Sequence, residues 1–263
     1  MSCTTPALFR YCAVLLFAVP ACFADVTASI SGFVDASGQA QVCFYFLDCT
    51  PADDSFSFSD SNTQPTHNFS ETRDASADDG TLSAGASVTM QQMVALNPGQ
   101  LSTFIEGDDH LGASNYDTQA SVDAVNQNTT TFESTGTFLL HVTGQITVQM
   151  NDYHFSSEDV EYLELSGPDG LIFSDFAPFE LAPLVEDVNE SWLLPAGTYT
   201  LLDSIVLQSG AGAPGGAGGN SFSLSLDADY TSVVPEPRWT AILALASMLL
   251  FSGRLRSKRA RRV

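Results

Sequence analysis

Thr137-Phe138-Leu139-Leu140-His141-Val142-Thr143-Gly144-Gln145-Ile146-Thr147-Val148-Gln149-Met150 is the run that decides the fold class. Phe138, Leu140, Val142, Ile146, Val148 and Met150 stand at even positions, so an extended chain gathers them on one face, where a helix would scatter them around its axis. His141 falls on the opposite face, where a histidine meets solvent, and Gly144 interrupts the apolar set as a turn or bulge. A strand with one apolar face needs a second layer to cover it, which points to two packed sheets.

The rest of residues 25–232 reads in the same way. Toward the C-terminus, Val160 to Leu165 and Leu171 to Phe176 flank Ser166-Gly167-Pro168-Asp169-Gly170, a strong turn signal. Trp192-Leu193-Leu194-Pro195-Ala196-Gly197-Thr198-Tyr199-Thr200-Leu201 leads into Ile205-Val206-Leu207. Its Leu-Pro-Ala-Gly-Thr-Tyr segment resembles the closing hairpin of exported bacterial β-sandwich and jelly-roll modules, a likeness of fold rather than ligand. Ala211 to Gly219 reads as a glycine-rich loop, and Phe222, Leu224, Leu226, Ala228 and Tyr230 alternate with Ser and Asp as a last strand. Toward the N-terminus, Ser87 to Leu96 and Leu101 to Ile105 bracket a hairpin turn at Asn97-Pro98-Gly99. Val26 to Val34 and Gln41 to Leu47 read as strands separated by a turn at Asp35-Ala36-Ser37-Gly38. Asp53 to Gly80 reads as long loops around a short edge strand, and the amide-rich stretch from Glu106 to Asn128 as an exposed excursion. No long amphipathic helix appears. The expected fold is mainly β: an antiparallel, jelly-roll-like β-sandwich.

Charge divides the chain sharply. All 31 acidic residues lie between Asp25 and Glu236, where Arg73 is the only basic side chain, leaving a balance of about 30 negative charges. Such a body repels nucleic acid and anionic polysaccharides, whose binding rests on Lys and Arg displacing counterions. The acidity reads as solubility, as adaptation to salt, or as calcium binding. For calcium, Asp74, Ser76 and Asp78 are spaced as a calcium loop begins. The match stops there: Asp79 stands where the loop needs Gly and Gly85 where it needs Glu, so a solvated acidic loop is favoured. Asp108-Asp109-His110 and Asp152-Tyr153-His154 carry similar residues without a specific spacing.

Enzyme chemistry finds little support. Gly-x-Ser-x-Gly, His-Glu-x-x-His and clustered Cys/His spacings are absent, and no lysine lies between residues 25 and 236. Paired carboxylates for glycan hydrolysis leave no spacing in sequence, so a secreted hydrolase stays open as an alternative. Cys3, Cys12 and Cys22 precede residue 25, while Cys43 and Cys49 follow it. In an oxidising compartment the latter two form one disulfide if the chain between them turns back on itself; if that run is one continuous strand, both thiols stay free.

Residues 1–24 read as a secretory signal helix, with Arg10 its only charge, an apolar centre from Tyr11 to Val19, and small residues before Asp25. Val19-Pro20-Ala21-Cys22 offers a looser alternative, a lipoprotein box with Cys22 lipidated. Residues 233–263 begin with Val233-Val234-Pro235-Glu236-Pro237, continue as an uncharged run from Trp239 to Gly253, and end in Arg254, Arg256, Lys258, Arg259, Arg261 and Arg262. The prolines keep Val234 to Glu236 extended and accessible to a processing enzyme. The fifteen apolar residues from 239 to 253 give about 22 Å of helix, a marginal membrane span that Trp239 and the flanking arginines extend. Six cations hold the end in the cytoplasm.

That order resembles the PEP-CTERM sorting tail of exported bacterial proteins. The resemblance implies handling by the secretion machinery, an inner-membrane-anchored intermediate, and an exosortase that processes the chain near Val234, Pro235, Glu236 and Pro237. It implies delivery to the cell surface or extracellular matrix. The expected role is structural or adhesive, non-enzymatic and without cofactor. Extracellular polysaccharide is a candidate partner, and a calcium-dependent carbohydrate-binding module is the main alternative.

Overall fold

The period-two pattern of residues 138–150 recurs throughout the body, and with it come long paired strands. A computed structural model describes residues 25–44, 48–114, 118–150, 160–177, 183–211 and 216–233. Ala24–Ser232 forms one compact unit. Its first strands are β1 (Val26–Phe44), β2 (Asp48–Asn62), β3 (Thr66–Asp78), β4 (Ser83–Asn97), β5 (Gln100–Ala113) and β6 (Thr118–Ser134). There follow β7 (Phe138–Met150), β8 (Val160–Gly167), β9 (Gly170–Ala177), β10 (Leu184–Leu194), β11 (Gly197–Ala211), β12 (Gly216–Gly218) and β13 (Asn220–Ser232).

Two antiparallel sheets result. The first has the order β2-β1-β6-β11-β8-β9; the second runs β10-β7-β13-β5-β4-β3, with β12 also on β5. The inner faces share a main apolar core that includes Ile105, Phe132, Phe138, Leu140, Ile146, Leu163, Leu201 and Phe222, and a smaller cluster of Ala40, Val42, Ala75, Ala77 and Ala84. Each such side chain contributes roughly 1.5–3 kcal/mol when fully buried. Edge-on ring contacts cross this core, with centroids 5.2 Å apart for Phe132 and Tyr230 and 5.5 Å for Phe138 and Tyr199. The sheet edges β2, β3, β9 and β10 carry Asp54, Asp60, Asp74, Asp175, Glu186 and Glu190. Carboxylates there discourage a second chain from adding a strand.

Several sequence expectations hold. β4 and β5 pair about Asn97-Pro98-Gly99, and β8 and β9 about the turn ending at Gly170. Gly99 and Gly170 have φ of 81° and 106°, left-handed values that glycine tolerates. β7 buries Phe138, Leu140, Val142, Ile146 and Val148, and β13 buries the predicted Phe222 to Tyr230 set.

Elsewhere the structure corrects the reading. Residues 35–38 form no turn, because β1 runs unbroken and Gly38 faces inward, where the Phe56 ring fills the space of a side chain. Asp53 to Gly80 is mostly strand, since Phe56, Phe58 and Phe69 point toward the core while intervening polar residues face out. Glu106 to Asn128 is no excursion: it completes β5 and builds more than half of β6, a central strand. Gly144 keeps its register with both neighbours, Val188 and Leu226. It is there because a side chain would strike the Ser225 carbonyl. Leu194 to Gly197 crosses between sheets instead of closing a hairpin, since β10 pairs with β7 and β11 with β6 and β8. Tyr199 fixes that corner by donating its hydroxyl to the Pro195 carbonyl at 3.1 Å. In the glycine-rich loop, Gly216–Gly218 is a short strand on β5.

Candidate functional site

The outer face of the first sheet carries hydroxyl and amide side chains in register. Ser55 pairs with Gln39, Gln39 with Ser121 and Ser121 with Gly210; on the next rung Ser57, Ser37, Asp123 and Gln208 align. Gln41 and Gln119 align on the rung to the other side of Gln39 and Ser121. Neighbouring strands lie about 4.8 Å apart and successive outward residues about 6.8 Å apart, so these groups form a regular lattice. Two shallow troughs cross it, of about 440 and 380 Å³. They share Gln39 and Ser121. Gly210, without a side chain, helps open the first. Asp123, at the second, accepts from Gln208 Nε2 at 3.5 Å.

A second polar group lies inside the sandwich. Gln92 on β4 donates through Nε2 to Asn126 Oδ1 at 3.0 Å and to the Gln127 carbonyl at 3.1 Å. Asn126 donates to the carbonyls of Gln91 and Glu106, at 2.7 and 3.1 Å, tying the two sheets together. Asn128 donates to Asp203 Oδ2 at 3.1 Å, and both residues are buried. Gly32 makes room for this belt: a side chain there would come within 2.6 Å of Asn128 Oδ1 and 2.8 Å of Gln92 Oε1. Burial pushes the Asp203 carboxyl from an ordinary 3.8 to about 7, against the opposing pull of Asn128 and Thr103. The Thr130 hydroxyl and Asn128 Oδ1 are buried without a hydrogen-bond partner.

The acidic residues singled out from sequence take other places. Asp74, Ser76 and Asp78 lie on the exposed face of β3 at alternate positions, about 6.8 Å from one to the next. Asp78 Oδ1 accepts from the Gly80 amide at 2.6 Å, while the Ser76 amide donates to Asp54 Oδ2 on β2 at 3.0 Å. Beyond them the Leu82 and Thr81 amides, donating to Asp79, hold its carboxyl below the ordinary range. Asp108, Asp109 and His110 border a shallow groove with Gly218 to Ser221. The Asp109 carboxylate is turned inward, accepting from the Ser209 hydroxyl and, at 2.8 Å, from the Asn220 amide. Among the described residues no three His, Cys, Asp or Glu side chains converge as a metal-ion site. His141 meets Ser191 Oγ at 2.7 Å on the outer face of the second sheet.

Cys43 is buried and disulfide-bonded, and the β1–β2 hairpin reverses the chain between it and Cys49, whose side chain lies outside the described residues. Asp152 to His154, residues 1–24, the 234–237 motif and the tail from Arg254 to Arg262 also lie outside them. Among the described residues no helix is long and apolar enough to cross a membrane.

Sequence reasoning missed Gln39, Gln119, Asn128 and Asp203. For Asn128 the signal was phase: Ala120, Val122 and Ala124 share parity with Asn126, Asn128 and Phe132, so the buried face of β6 continues through its amides. No protein-family model and no curated protein sequence matches the chain. Among solved structures, that of the infectious bursal disease virus Gx strain aligns at 13% identity and a TM-score of 0.20. The alignment covers 92% of this chain and 75% of that one, and at this score it carries no argument about fold or function.

Proposed function

We propose that this chain is an exported protein of the cell surface or extracellular matrix, structural or adhesive in role, sorted by an exosortase through Val234-Pro235-Glu236-Pro237. In this reading residues 1–24 direct secretion, the 25–232 sandwich is the exported body, and residues 233–263 form the sorting tail. Residues 239–253 anchor an inner-membrane intermediate, which the basic residues 254–262 hold from the cytoplasmic side. One observation carries it: a Pro-Glu-Pro triplet, an uncharged run and six cations follow one another in that order. The body supports it. Its outer faces display hydroxyls, amides and carboxylates with little positive charge, a surface suited to staying dispersed outside the cell. Repeated crossing of the chain between sheets supports a jelly-roll-like variant of the sandwich. The buried, bonded Cys43 supports a Cys43–Cys49 disulfide and so an oxidising destination.

Mass spectrometry of the protein recovered from its native cells tests this reading. The expected species begins at Asp25, has lost the residues beyond the Pro-Glu-Pro region, and is 2 Da lighter than its reduced form. Recovery of the unprocessed Met1 to Val263 chain from cytosol would overturn it.

A further inference from the structure

We infer that the paired troughs on the β2-β1-β6-β11 face bind a neutral glycan directly, without a bridging cation. This inference rests on the adhesive reading above and gives it a location. The polar part of the lining is amphoteric apart from the Asp123 carboxylate: Gln39, Gln41 and Gln119 each offer an amide donor and acceptor, and Ser37, Ser55 and Ser121 each offer a hydroxyl that does both. A sugar hydroxyl also donates and accepts, so a chain of them can satisfy such a lattice without a charged partner. The rungs repeat every 4.8 Å or so across the strands and every 6.8 Å along them, giving an extended ligand several successive contacts.

Charge selects the occupant. Phosphate, sulfate or uronate groups would meet no Lys or Arg here and would face a body with about 30 negative charges. A second copy of the chain would bring the same charge with it, so copy-to-copy packing on this face is opposed. A neutral polysaccharide meets neither penalty. Shallow, open troughs make each contact weak, and many copies on one surface would compensate through avidity.

Affinity electrophoresis of the purified protein tests the assignment, in gels containing a neutral β-glucan, a neutral α-glucan or an acidic polyuronate, each run with and without a chelator. The expected result is retardation by at least one neutral glucan, unaffected by chelator, and none by the polyuronate. The double variant Gln39→Ala/Gln119→Ala should lose at least fivefold in affinity while melting at the wild-type temperature, because both side chains are exposed. Amide shifts of wild-type protein titrated with the retarding glucan should concentrate on Gln39, Gln119 and Ser121. Absence of retardation by either neutral glucan would overturn the inference. Retardation that the double variant retains, or that chelator abolishes, would place glycan binding elsewhere and leave the adhesive reading standing. Ligand-independent self-association lost in the double variant would assign the face to a second copy instead. Failure of the export reading shows separately, in the masses of the native termini.

Discussion

Asp203 sits where a carboxylate is least at home, between two sheets, with Asn128 as its hydrogen-bonding neighbour and no cation facing it. From β6, β5, β4 and β1 the groups directed at this region are Asn128, Thr103, Gln92 and Gly32, none of them charged. The sign of the pH effect follows. Unfolded, the carboxyl releases its proton near 3.8; folded, it keeps it to about 7. Its contribution to stability is therefore complete below pH 3.8, declines as pH rises from there to about 7, and changes no further above. The whole loss is on the order of 4 kcal/mol. Asp203→Asn keeps an oxygen to accept from Asn128 and removes the titration. Denaturant unfolding of both proteins between pH 4 and 8 should show the wild type losing stability relative to the variant across that window. Parallel profiles would mean that the carboxyl ionises in the folded core at its ordinary pKa.

Strands were legible wherever an apolar phase was sustained, as in β7, and illegible wherever the same phase was carried by small or polar side chains. In β6 the inward positions pass from Ala120, Val122 and Ala124 to Asn126, Asn128 and Thr130, so counting apolar residues hides a central strand that their parity preserves. In β2 and β3 the edge position keeps the apolar content low, and Phe56, Phe58 and Phe69, with the small Ala75 and Ala77, mark the inner face. The amide-and-hydroxyl face was unreadable for another reason: it is assembled from four strands distant in sequence. Glycine misled most where it served close packing. Gly144 looked like a break, yet β7 needs it so that the Ser225 backbone can approach. Gly144→Val adds β propensity and in an isolated strand would help. Here it should lower stability by about 1–3 kcal/mol through overpacking, measured by thermal unfolding. A neutral or stabilising result would mean that β7 and β13 lie further apart than the register implies.

Over the whole molecule the dominant quantity is net charge. With a balance of about 30 negative charges, the carboxylates of residues 25–236 repel one another in the folded state more than in the expanded chain. Salt should therefore stabilise this protein, because the screening length falls from about 10 Å at 0.1 M to about 3 Å at 1 M. A relief of about 1 kcal/mol corresponds to a rise of roughly 2–4 °C in Tm for a domain of this size. Sodium and potassium chloride should act alike, since screening depends on ionic strength and not on the identity of the ion. Calcium separates two uses of the same acidity. On β3, Asp74 and Asp78 are two strand repeats apart, about 13 Å, too far to share one ion. Calcium chloride should then match sodium chloride at equal ionic strength. A further rise in Tm that saturates at low millimolar calcium would instead require a folded-state site, with stabilisation growing as the logarithm of free calcium. That outcome would transfer the acidic surface from keeping copies apart to holding a cation between carboxylates.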